Sequence, residues 1–335
     1  PWRPADSVAL YRLMMFLGLA ETQQYAEKFI IESMKSEQAW KFVKALLDPY
    51  LNDFDTKNLD IIKQVKTERS VLPKELANIA TLPTFRASNN WAISGALSAT
   101  GHALYASDPH LNIGQLPPIW YEAVLDTEKD NIAGITFPGF PGVVMGRNSH
   151  VAWGFTYGFM DLIDYFVEEC KGQTCKYGNE FVPIKKTVEK IYRKSGEPVE
   201  VTVYHTKHGL LELNNTHTDG IQHGFYLARA YSHDDPLTGM ASLEGHIKLQ
   251  YAQTIEEAAK YARMYEVSTN HILADKNGRI GYQQSGVLFS RAHNGMYPLF
   301  GWDPANDAKG FVHLDKFTTI LDPASGILAS ANDGA

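Results

Sequence analysis

The sequence predicts an α+β protein in which sheets face each other and helices lie outside. Three observations carry that expectation. Residues 1 to about 48 repeat apolar side chains at helical spacing. From Asn89 onward, short runs rich in β-branched and aromatic residues, separated by small breaks, read as strands. Residues 240–265 return to a helical pattern, and further strands follow it.

The first helical stretch has an N-cap signal at Asp6-Ser7 and continues through Leu10, Leu13, Met14 and Leu17. A second carries Tyr25, Phe29 and Ile30. A third carries Trp40, Phe42, Val43, Leu46 and Leu47, and Pro49 stops it. Over residues 49–87 Lys and Asp are frequent, apolar periodicity is weak, and Pro73 and Pro83 punctuate the chain, which predicts a linker or spacer. Strand-like runs begin at Trp91, His102 and Trp120 and continue over 132–137, 143–145 and 151–155, with a Gly-Phe-Pro-Gly turn at 139–142. Residues 161–231 alternate strands with turns. Residues 270–273 and 279–283 flank Asp275-Lys-Asn-Gly278, a hairpin turn signal. The expected organisation is a helical segment at 1–48, a spacer at 49–87 and a strand-rich core at 88–335.

The 335 residues are 44% hydrophobic and 12% aromatic, enough for a sizeable core, with a formal charge of −7. That acidic balance argues against nucleic acid or an anionic membrane surface as partner. No run is long enough to span a membrane; residues 8–20 are too short and contain Arg12. Both ends read as cut from something longer, so the missing targeting segment is uninformative. Cys170 and Cys175 could close a small disulfide at a hairpin tip in an oxidising compartment, or remain free thiols.

Ser88 stands at the junction between spacer-like chain and the first strand, after the small Ala87 and before Asn89 and Asn90. It lacks the Gly-x-Ser-x-Gly elbow of α/β-hydrolases. An ordered series of motifs follows it: Ser88-Asn-Asn-Trp91, Ser107-Asp-Pro-His110-Leu111, Trp120-Tyr-Glu122, residues 134–141, Ala152-Trp-Gly-Phe-Thr156, Asp161-Leu-Ile-Asp164, Thr206-Lys-His-Gly209, Asn270-His-Ile-Leu-Ala-Asp275 and Ala331-Asn332. In that order, over most of the chain, the sequence resembles the penicillin acylase family of N-terminal-nucleophile hydrolases.

The resemblance implies a four-layer αββα sandwich preceded by the end of an α chain. It also implies cleavage before Ser88, which leaves that serine at a chain terminus. Its hydroxyl is then the nucleophile and its own amine, with an ordinary pKa of about 7.7–8, the base. The oxyanion donors implied are the Tyr157 backbone N–H and the Asn332 side-chain amide. Asn332 alone, in Asn-Asp-Gly, also reads as a turn residue. His110 would orient the amine or lend its backbone to the site; otherwise it is a structural histidine behind Asp108-Pro109. Leu111, Phe137, Met145, Trp153 and Phe155 are candidates for an apolar acyl pocket, with Tyr157 beside them, and each could equally be core.

The resemblance further implies structural Ca²⁺ held by Asp161, the Ile163 carbonyl and Asp164, with Glu27 as a looser candidate. No organic cofactor is implied. The expected partners are an acylated small-molecule amide and the chain's own two halves as a heterodimer, without nucleic acid or membrane. The expected location is periplasmic or secreted. The expected activity is amide hydrolysis on N-acylated small molecules such as acyl-homoserine lactones or β-lactams. The rival reading is a non-catalytic, calcium-stabilised secreted binding protein on the same scaffold. Asp275-Lys-Asn-Gly278 is not an EF-hand, because Gly286 stands where a bidentate Glu is needed. His205-Thr-Lys-His208 lacks the glutamate and helical context of a zinc motif.

Overall fold

The computed structural model describes residues 2–67, 87–110, 119–128, 130–213, 221–234 and 238–333. The helical segment comprises α1 (Pro4–Met15), α2 (Glu21–Met34), α3 (Glu37–Leu46) and the short α4 (Leu59–Ile62). The apolar repeat that predicts one helix through Leu17 is interrupted. Leu17 turns extended and Gly18 takes φ 78°, a value that favours a residue without a Cβ, and the chain bends into α2. Residues from 49 onward, expected as spacer, pack in their first part: Leu51, Phe54, Ile62 and Val65 are buried in the main core. The Lys66 N–H donates to the Phe225 carbonyl at 2.9 Å. Two apolar pairs at i, i+3 spacing, Leu51 with Phe54 and Ile62 with Val65, anchor this stretch across mostly polar chain. Pro73 and Pro83 of the expected spacer lie outside the described residues.

Three sheets follow. A three-stranded sheet is formed by β1 (Ala87–Ile93) and β2 (Leu104–His110) with a strand from the far end of the chain. A seven-stranded sheet holds β3 (Tyr121–Asp126), β4 (Asn131–Thr136), β5 (Met145–Arg147) and β6 (Val151–Tyr157). The third sheet contains β7 (Ile163–Gly172), β8 (Thr174–Tyr177), β9 (Glu180–Pro183), β10 (Lys185–Ile191), β11 (Val199–His205), β12 (Leu210–Leu211) and β13 (Ile221–Tyr231). The expected helical region divides into α5 (Met240–Leu249) and α6 (Ile255–Ala262), and Thr254 caps α6 by accepting from the Glu257 N–H. The predicted hairpin is β14 (Thr269–Asp275) and β15 (Ile280–Ser285). These two strands and β17 (Thr319–Leu321) complete the seven-stranded sheet, while β16 (Leu299–Phe300) lies parallel to β7. The strand beside β1 is β18 (Ile327–Ser330).

The fold is mixed α+β with mostly antiparallel sheets. One face of the seven-stranded sheet carries α6, whose Ile255, Ala258 and Ala259 are buried in the main core. The other face meets the three-stranded sheet, where Ala92 packs with Ile272, Ala274 and Ile280. Among the described residues this gives helix, sheet and sheet in successive layers, with Trp91, Leu104 and Ile327 exposed on the outer side.

The Thr206–Gly209 motif has a physical explanation in the third sheet. His208 is stacked on Phe166 with centroids 4.1 Å apart. Its Nδ1 lies 2.8 Å from Glu168 Oε1 and its Nε2 3.0 Å from Asp307 Oδ1. Burial alone lowers a histidine pKa, but the two carboxylates outweigh it and the net shift is upward. In its protonated form the ring clasps β7 to the loop at 304–309. The folded pKa exceeds the unfolded one, so this stabilisation is complete below the ordinary histidine value of about 6.5 and is lost as pH rises through the folded value. His208→Ala is expected to lower stability at pH 6 by about 3 kcal/mol, with a smaller loss at high pH, in denaturant titrations at both.

Candidate active site

Alternation along β1 sets which side chains meet. Ser88, Asn90 and Ala92 are buried, facing the seven-stranded sheet, while Ala87, Asn89 and Trp91 point out. Asn332 approaches Ser88 from the end of β18. Its Oδ1 accepts from the Ser88 N–H at 2.7 Å, and its Nδ2 donates to Ser88 Oγ at 3.4 Å and to the Tyr157 carbonyl at 2.8 Å. Asn332 has φ 69°, so it is a turn residue as well as a ligand of the serine. Ser88, Tyr157 and Asn332 thus meet where three strands of two sheets converge.

A second amide holds the first in place. Asn270, on β14, is fully buried. It donates to the Asp333 carbonyl at 2.9 Å and to Ser330 Oγ at 3.3 Å, and accepts from the Tyr282 hydroxyl at 2.7 Å. Thr156 and Ser330 share a 2.8 Å hydrogen bond beneath it. The sequence marks this residue only as the start of the motif Asn270-His-Ile-Leu-Ala-Asp275.

Beside Ser88 lies a mainly apolar cavity. Phe137, Met145, Phe155 and Tyr157 line it, as the sequence suggests. Trp153 does not: it is wholly buried in the core and its indole donates to the Val144 carbonyl at 3.1 Å. Leu111 lies outside the described residues. Further lining comes from Tyr11 and Met14 on α1, from Trp120 and Phe140, and from His246 and Tyr265. His246 Nδ1 lies 3.0 Å from the Tyr265 hydroxyl and its Nε2 2.8 Å from the Pro141 carbonyl. Burial pushes this imidazole down to about 4, so it is neutral near pH 7. Helical residues about 75 positions upstream of Ser88 carry no local signal of their place in its pocket.

His110 sits elsewhere. It is opposite Ala87 in the β1–β2 ladder, on the outward face. Its Nε2 lies 3.0 Å from Asp108 Oδ2 and 3.2 Å from Asn89 Nδ2. The strand alternation that turns Ser88 inward turns this side chain away from it.

The expected metal ligands do converge. Glu27 on α2 is buried, and burial together with Asp161 and Asp164 raises its pKa well above the usual carboxylate range. Burial raises Asp164 to about 7, against the opposing effect of Arg291. Ile163 opens β7, and its N–H donates to the Asp161 carboxylate. The arrangement nevertheless does not fit calcium, because Arg291 bonds both aspartates, its Nη1 reaching Asp164 Oδ2 at 3.2 Å. Among the described residues no three metal-binding side chains come together at ligand distance.

The loop between Tyr157 and Asp161 is under local strain. Phe159 has φ 43°, unfavourable for an aromatic residue. Gln23 of α2 restrains the loop with both ends of its amide, donating to the Met160 carbonyl and accepting from the Leu162 N–H at 2.8 Å. Ser268 Oγ accepts from the Met160 N–H at 3.0 Å. Gln23→Ala should raise amide hydrogen exchange at Leu162 and its neighbours by about tenfold, without a matching change in β10 and β11; mass-spectrometric exchange reads both.

Residues 1–335 match the family model described as penicillin amidase. The chain is 30% identical over 343 residues to an acyl-homoserine lactone acylase QuiP of Pseudomonas fluorescens, covering 99% of this chain and 41% of the relative. It is 27% identical to the penicillin acylase 2 proenzyme of a Pseudomonas strain, over 73% of this chain and 31% of the relative. Among solved structures, a thermostable penicillin G acylase from Alcaligenes faecalis superposes with a TM-score of 0.64 at 23% identity, covering 73% of this chain and 44% of that one. That likeness concerns the fold. The chain therefore spans less than half the length of these relatives.

Proposed function

Because the chain belongs to the penicillin amidase family, we propose that it forms the catalytic part of an acylase that hydrolyses the amide of an N-acylated small molecule with an apolar acyl group. The observation that carries this reading is the double hold of Asn332 on Ser88, by the serine's nitrogen and by its oxygen, at the wall of an apolar cavity. Family relatives named for acyl-homoserine lactones and for penicillin bracket the substrate class.

In the proposed mechanism the Ala87–Ser88 peptide is first severed. Ser88 Oγ attacks the Ala87 carbonyl, the acyl group moves from nitrogen to oxygen, and water hydrolyses the resulting ester. This frees an α-amine whose ordinary pKa of about 7.7–8 leaves a fraction neutral near pH 7. The Asn332 Oδ1 that accepts from the Ser88 N–H in the intact chain would then orient that amine. In turnover, Oγ attacks the substrate carbonyl and its proton passes to the amine. The tetrahedral oxyanion is met by the Asn332 amide and the Tyr157 N–H. Collapse breaks the C–N bond, the leaving amine takes the proton, and water hydrolyses the acyl-enzyme.

The apolar cavity would hold the acyl chain, with the N-terminal helical segment supplying part of its wall. That segment would remain attached after cleavage as one half of a heterodimer. Polar residues of α2 support this: Gln24 accepts from Arg229, and Lys28 pairs with buried Glu212. We also propose export to the periplasm or beyond. The Cys170–Cys175 disulfide across β7 and β8 favours an oxidising compartment.

Ser88→Ala in the full-length protein is expected to remain one chain and to release no acid from acyl-homoserine lactones, whereas the wild type should give a heavy chain that begins Ser-Asn-Asn-Trp on Edman sequencing. Retained turnover in the variant would exclude the mechanism. Asn332→Gly keeps the positive φ but removes the amide; kcat/KM should fall by about 10²–10³ in the matured enzyme.

A further inference from the structure

The carboxylates that the family resemblance marks for calcium already have a cation of the chain's own. We propose that Arg291 is the built-in counter-ion of Asp161 and Asp164, and that this guanidinium, not a divalent metal, ties the stretch before β7 to the loop at 291–296, which itself reaches the helical segment. The Arg291 side chain is only 9% exposed, and its fork bonds one aspartate with each terminal nitrogen. A planar guanidinium suits two carboxylates held in this way, whereas calcium requires about six to eight oxygens around one point.

The surrounding chain is shaped to the arginine. Gly295 has φ 79°, and a Cβ built on it would overlap both Asp161 Oδ2 and the Arg291 guanidinium. Its backbone therefore closes over the ion pair and leaves no room for a further ligand on that side. The cluster also joins three separate segments. Glu27 comes from α2, the aspartates from the stretch before and into β7, and Arg291 from the loop at 291–296. That loop reaches the helical segment a second time, where Asn294 donates to the Tyr50 carbonyl at 2.6 Å.

The test compares wild type and Arg291→Gln in the full-length protein, each with excess calcium and with chelator. The wild type should carry well under one calcium per chain by elemental analysis, and its Tm should move by less than about 1 °C between the two conditions. Arg291→Gln in chelator should melt roughly 5–15 °C lower, because the aspartates lose their partner, and calcium should restore part of the loss. If the variant folds only with calcium, that also supports the proposal. Stoichiometric calcium in the wild type, with a Tm that chelator lowers, would overturn it. A folded variant that ignores calcium would overturn the claim that the guanidinium stands in a metal's place.

Discussion

The site depends on one side-chain amide. Asn332 holds the nitrogen and hydroxyl of Ser88 and the carbonyl of Tyr157, which belong to two different sheets. Such a bridge requires that the end of β18, the start of β1 and the end of β6 arrive at one point. The buried network of Asn270, Thr156 and Ser330 fixes that meeting from below. Buried polar groups of this kind are costly unless satisfied, so the network favours one arrangement of the two sheets over any slipped register.

A second constraint acts from the helical segment. One side of α2 presents Gln23, Gln24, Glu27 and Lys28, and each meets a polar partner in the β-core. Apolar packing alone would allow the helix to rotate or slide; four polar contacts with different partners do not. The same helix thereby steadies the strained turn after Tyr157 and contributes to the carboxylate cluster.

What was legible in the sequence followed local rules. The hairpin at Asp275–Gly278 could be read because its turn residues satisfy their own backbone, with Asp275 Oδ1 accepting from the Asn277 N–H at 2.9 Å. Ser88 and Asn332 stood out through an ordered series of motifs, and the fold brings them together across 244 residues. Properties set by distant chain could not be read. The outward turn of His110 depends on the register of β1 with β2. Trp153 shares a face of β6 with Phe155 and Tyr157, and only its position further along the strand from Ser88 puts it in the core instead of the cavity wall. Arg291 lies 130 residues from Asp161, and nothing beside it in sequence marks its partner. The packed stretch after Pro49 was obscure because its helical spacing is carried by only two short pairs, Leu51 with Phe54 and Ile62 with Val65, separated by mostly polar chain.

The position of β1 in its sheet has a consequence for the chain end that the proposed cut creates. New termini usually fray, and a nucleophile on a frayed end would spend most of its time elsewhere. Here β1 lies between β18 and β2, with Ser88 opposite Pro109, Asn89 opposite Asp108, and the strand paired on both sides from Asn90 onward. The end would therefore be ordered from the moment it formed. The conformational freedom that a terminal residue normally loses on binding its substrate would already have been lost when the sheet folded.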